Sequence, residues 1–145
     1  MKKFLKFAAV LAILLMVMAL FTGCKVTGGG YFTNTARDNE KEKCTFGFNA
    51  QGEGIEYKGQ FQFNDHAKPA TKIHAEVLEI TSWGDTYAQF TGLTDEGFVY
   101  VEIWDNGEPG AVDDGDYIKI YVNKLPFGNP TYEGELGGGN IQIHE

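Results

Sequence analysis

Beyond about residue 40 the chain alternates apolar and polar residues with a period of two. Cys44-Thr45-Phe46-Gly47-Phe48-Asn49 and Gln60-Phe61-Gln62-Phe63-Asn64 do so over short runs. From Tyr117 to Asn123, Ile118, Ile120 and Val122 share one face and Lys119 takes the other, and Asn140-Ile141-Gln142-Ile143-His144 repeats the pattern. Successive side chains of a strand point to opposite faces, so each run predicts a strand with one apolar face for a core. Two runs are longer. In Lys72–Trp83 the phase set by Ile73, Ala75 and Val77 is broken at Leu78, which predicts a β-bulge near Val77-Leu78. In Phe98–Trp104 both phases are large and apolar, which predicts a central strand covered on both sides.

Turn-forming clusters separate these runs at 49–54, 64–70, 83–85, 94–97 and 106–115. No stretch in this part of the chain has helical periodicity. The expected fold is all-β, an antiparallel sandwich of about eight or nine strands, with a closed barrel as the alternative. Uneven strand lengths and connections favour the sandwich. Glycine triplets precede a strand at both ends, Gly28–Gly30 before Tyr31-Phe32 and Gly137–Gly139 before Asn140-Ile141. Glycine allows close backbone approach, so these terminal strands are expected to meet and close the domain.

The beginning of the chain follows another pattern. Lys2, Lys3 and Lys6 precede an unbroken apolar run from Phe7 to Phe21, followed by Thr22-Gly23-Cys24. A basic start, a short apolar core and small residues before a cut describe an export signal. The run is shorter than the roughly 20 residues of a membrane-spanning helix. Phe21-Thr22-Gly23-Cys24 resembles the lipobox of bacterial lipoproteins, with Phe21 in place of the usual leucine. That resemblance implies cleavage after Gly23, a lipidated Cys24 as the new N-terminus, and an extracytoplasmic domain anchored to a bacterial membrane. The domains expected are 1–23 as signal peptide, 24–30 as lipidated N-terminus and short linker, and 31–145 as one β domain. So short a linker would hold the domain close to the bilayer.

Cleavage changes the electrostatics. It removes three lysines and leaves nine basic against twenty acidic residues, a net charge of −11. An acidic domain repels phosphate backbones, which argues against nucleic acid as a partner. If Cys24 carries lipid, Cys44 has no disulfide partner within the chain, and its place in an apolar alternation predicts a buried, inert thiol.

The segments Val26–Gly30, Thr45–Asn49, Phe63–His66, Phe90–Gly92, Asp105–Gly110 and Gly138–His144 occur in an order that resembles the post-COAP family of exported β modules. The resemblance implies a β fold at the cell surface and no established activity, so it carries over no catalytic residues. The charged loop Arg37–Lys43 and the segment Asn123–Thr131 depart from it.

Candidate chemistry concentrates in two places. Asp105, Asn106, Glu108, Asp113, Asp114 and Asp116 lie in one glycine-punctuated turn. Calcium takes six to eight oxygen ligands of these kinds, which makes it the candidate structural cofactor. The spacing does not match an EF-hand, and a solvated turn accounts for the same composition. Trp83, Tyr100, Trp104 and Tyr121 are candidate ligand-binding residues, because aromatic faces pack against the CH faces of sugars; Tyr87 and Tyr132 join them in the sequence. Core packing uses the same residue types, and Tyr100 and Trp104 are expected beneath a second sheet. His66, His74 and His144 are too scattered for the sequence to join them in a metal site. No nucleophile elbow, phosphate loop or zinc-binding helix motif is present, so no enzyme is expected. The expected role is non-catalytic binding or support at the envelope, with a protein or glycan partner; a protein would add to an exposed sheet edge.

Overall fold

The structure is a computed structural model that describes residues 23–37, 42–53, 55–107 and 115–144, with the side chains of Ser82 and Trp83 set aside. The apolar run 7–21 and the rest of the expected signal peptide before Gly23 lie outside the described residues. Eight antiparallel strands follow one another: β1 (Cys24–Thr33), β2 (Lys43–Glu53), β3 (Glu56–Asp65), β4 (Thr71–Trp83), β5 (Tyr87–Thr94), β6 (Gly97–Trp104), β7 (Tyr117–Val122) and β8 (Tyr132–His144). Each pairs with its neighbour in sequence, and β8 returns to β1 to close a barrel. The all-β expectation holds, in the form of its alternative. A sandwich needs two sheets facing each other, whereas here one sheet closes on itself.

Closure also corrects the expected free edge, because every strand has two neighbours. The expected linker 24–30 is likewise part of the fold. Cys24 opens β1 opposite Gly52, and the glycine triplet pairs on both sides, with β2 and with β8. The predicted bulge lies where it was placed: between β4 and β5 the register skips Leu78, so Val77 faces Gly92 and Glu79 faces Thr91. Leu78 is the extra residue and points to solvent, while Ile80 returns to the core.

The inward set is apolar. Val26, Phe32, Cys44, Phe61, Ala88, Val99, Val101, Ile103, Ile118, Ile120 and Ile141 are wholly buried. Phenylalanines run through the interior as a linked series of rings, Phe32–Phe46–Phe48–Phe90–Phe61–Phe63, with centroids 5.2–6.5 Å apart, ending on Tyr132 at 4.5 Å. Gly28 makes room for this series, since a Cβ there would stand 2.6 Å from the Phe48 ring. Apolar inside and polar outside (Lys25, Gln60, Gln62, Lys72, Glu76, Lys119) is the reverse of a membrane-spanning barrel, which carries its apolar band outward. The buried Cys44 thiol is pushed up to about 12, first by burial and then by Asp65 and Glu42, which keeps it protonated and inert at neutral pH.

The barrel has two ends. One carries Cys24, the β2–β3 and β4–β5 hairpins, the β6–β7 loop and the end of β8; the far end carries the β1–β2, β3–β4, β5–β6 and β7–β8 connections.

Candidate functional site

On the outer face of β5, β6 and β7 the strand register sorts side chains into three rows. Tyr87, Trp104 and Tyr117 are cross-strand neighbours nearest the Cys24 end. The next row is Gln89, Glu102 and Lys119, continued by Glu133 on β8. The third is Thr91, Tyr100 and Tyr121. Parity alone produces this order. Because Val99, Val101, Ile103, Ile118 and Ile120 face inward, their alternates must face out, and the register brings aromatic beside aromatic.

The rings contact one another. Trp104 lies 5.1 Å from Tyr87 and 5.7 Å from Tyr117, centroid to centroid, and Tyr100 meets Tyr121 edge-on at 6.1 Å. Glu102 ties the two aromatic rows together. It accepts hydrogen bonds from Tyr87 Oη at 2.8 Å and Tyr121 Oη at 3.1 Å. Tyr117 Oη donates to Glu133 at 2.9 Å, and Lys119 Nζ lies 3.8 Å from the same carboxylate and 5.6 Å from the Trp104 ring centroid. Burial and then the hydrogen-bonded carboxylate raise all three hydroxyls, Tyr87 furthest and Tyr117 and Tyr121 to about 12. They are neutral at ordinary pH and stay protonated.

Three strands at about 4.8 Å spacing make a face roughly 10 Å across. The expectation that Tyr100 and Trp104 lie beneath a second sheet is corrected, since no second sheet covers them and both rings are half-buried. Tyr121 is only 3% exposed and serves as a buttress beneath Tyr100 and Glu102 rather than as a contact surface. Tyr132 faces the barrel interior instead. The Trp83 ring is not described, although its backbone pairs with Tyr87. Sequence reasoning did not pick out Tyr117, Glu102, Lys119 or Glu133. The parity of Tyr117, Lys119 and Tyr121 carried part of that signal, but the link to Glu133 depends on barrel register.

The acidic turn takes a different part. Asp116 is buried, and both of its oxygens accept backbone N–H groups, Oδ1 from Asn106 at 2.9 Å and Oδ2 from Ile141 at 2.7 Å. Asp105 Oδ2 accepts from Ile143 at 3.3 Å, and Asn106 Nδ2 donates to Gly115 O at 3.0 Å. Glu108, Asp113 and Asp114 lie outside the described residues. Among the described residues no three His, Cys, Asp or Glu side chains come together as metal ligands. His66 Nε2 lies 3.1 Å from Thr45 Oγ1 at the far end, His74 pairs with Gln62 between β4 and β3, and His144 faces Lys25 at the Cys24 end. No family profile, curated protein or solved structure matches this chain.

Proposed function

We propose that this protein is a lipid-anchored extracytoplasmic binding module, without a catalytic role, that presents the outer face of β5–β7 to carbohydrate at a bacterial cell envelope. The anchor is Cys24, and the contact residues are Trp104, Tyr87, Tyr100 and Tyr117. One observation carries the reading: two rows of aromatic rings are held by Glu102 on the outside of a barrel whose inside is filled. A filled interior leaves the outer surface as the place for a ligand. Tyr87 and Tyr117, fixed by hydrogen bonds, and Trp104, packed between them, lose little freedom on binding, and Glu102, Lys119 and Glu133 supply acceptors and a donor. The resemblance to post-COAP modules supports the same surface location.

Titration of the soluble domain with envelope glycans, followed by tryptophan fluorescence and calorimetry, tests this. Saturable quenching that weakens at least ten-fold in Trp104→Ala is the expected result. An unresponsive wild-type protein would exclude the carbohydrate reading.

A protein partner is the second reading, favoured by the far end. There Leu93 near the end of β5 and Leu125 and Phe127 in the β7–β8 connection are 52%, 57% and 82% exposed. Envelope capture that survives Trp104→Ala but is lost in Phe127→Asp would select it.

A further inference from the structure

The β2–β3 hairpin stands beside Cys24 and reaches past it. Cys24, Gly52 and Tyr57 form one cross-strand row, and the hairpin continues through the Glu53–Glu56 pair to its tip. At the tip Ile55 is 94% exposed, more than any other large apolar residue described. Turns favour Gly, Asn, Asp and Ser, and nothing in a two-residue connection calls for a β-branched apolar side chain. One residue back, Lys25, Gln51 and Lys58 form the next row. A groove of about 320 Å³ runs between them, with Cys24, Tyr57 and Lys58 in its walls.

We infer that this corner of the barrel docks on the lipid bilayer, with Ile55 entering the acyl boundary; the inference rests on the lipid-anchor reading of Cys24. The rows are ordered as an interface requires. Two residues of strand place the tip roughly 7 Å beyond Cys24. That matches the roughly 5–10 Å to which interfacial segments bury an apolar face. Tyr57, beside the acylated cysteine, lies at the level where amphipathic rings collect. Lys25 and Lys58 lie one level back, where lipid phosphates are. Glu53 and Glu56 flank Ile55 and restrict insertion to the one side chain. The contact therefore orients the barrel and leaves the affinity to the acyl chains. It points the far end, with Phe127, away from the membrane and leaves the β5–β7 face open to the side.

The test uses the full acylated chain in phosphatidylcholine vesicles. Ile55→Cys and Phe127→Cys are each labelled with an environment-sensitive fluorophore; both sites are exposed, and the buried Cys44 stays unlabelled. Brominated lipid should quench the probe at position 55 several-fold more than the probe at 127, with a blue-shifted emission only at 55. If the protein is held on the vesicles but both probes report water, the docking is wrong and the anchor stands. If the chain is not retained and mass spectrometry finds no acyl group on Cys24, the anchor reading fails and takes the docking with it.

Discussion

The two flanks of β8 close the same barrel by different means. Towards β1 eight residue pairs join the strands, Lys25–His144 to Phe32–Leu136, and at the glycine triplets the contact is made by backbone. Gly29 faces Asn140, Gly30 faces Gly139 and Tyr31 faces Gly138, and the chains lie so close that side chains are excluded. A Cβ on Gly139, whose φ is 101°, would run into the backbone of Gly29 and Gly30, and one on Gly30 would strike the Gly138 carbonyl. The Tyr31 ring then lies over Gly137 and Gly138, with the Lys43 ammonium 4.4 Å above it. Towards β7 only four residue pairs join the strands, Tyr117–Glu135 to Ile120–Tyr132. Beyond them Asp116 and Asp105 stand in for a missing strand by accepting the amides of Ile141 and Ile143. On the β1 side, past the last pair Phe32–Leu136, Asn34 Oδ1 accepts from Glu133 and Ala36 at the far end. A short strand in a closed sheet leaves amides that must find partners, and buried carboxylates and amides supply them.

If the glycine flank works by proximity, adding bulk to it should cost most. Gly139→Val imposes a strained backbone angle and a collision with β1, for a loss of about 3–5 kcal/mol in denaturant unfolding. A loss below about 1 kcal/mol would mean the two strands can separate without harm to the barrel.

The carboxylate flank should be the next most sensitive. Asp116→Ala leaves two amides without their charged acceptor and should cost about 3 kcal/mol. Hydrogen exchange locates the damage: the Ile141 amide should lose protection while the Gly30 amide keeps it. Equal loss at both would show that the flanks open together.

The smallest effect, absent at neutral pH, is alkaline. Tyr117 donates to Glu133 across the β7–β8 flank, and Tyr121 to Glu102 beside it. Both are raised from 10.0 to about 12, chiefly by burial, so the fold favours the protonated form. Their contribution is complete below pH 10 and is lost as pH rises through about 12. Thermal melts with tyrosinate absorbance should fall over that window, and less steeply when both residues are changed to Phe. An unchanged slope would place the alkaline sensitivity elsewhere.

How far the sequence could be read depends on the range of each interaction. The inward faces of β2, β3, β6 and β7 were legible because alternation is local, and the bulge at Leu78 was legible because a one-residue slip leaves an apolar mark. The glycine triplets pointed to their own meeting, since glycine permits close backbone approach. Asp116 was different. In sequence it is one acid among several in a turn that suits calcium, and its engagement with Ile141, 25 residues on, depends on how β8 leaves β7. The outer aromatic rows were half legible. Parity put Tyr100 with Trp104, and Tyr117 with Tyr121, but not the two pairs side by side.

The chain's own pattern of residues settled the all-β character, the inward faces of β2, β3, β6 and β7 and the meeting of the two ends, because a period of two and a glycine triplet act over a few residues. Tertiary structure alone decided that one sheet curls into a barrel instead of stacking as two, which put Tyr100 and Trp104 on an open surface and made Cys24 the first residue of a strand. Alternation is the same in both architectures. Which face is covered is set by register and strand pairing between residues far apart in the chain.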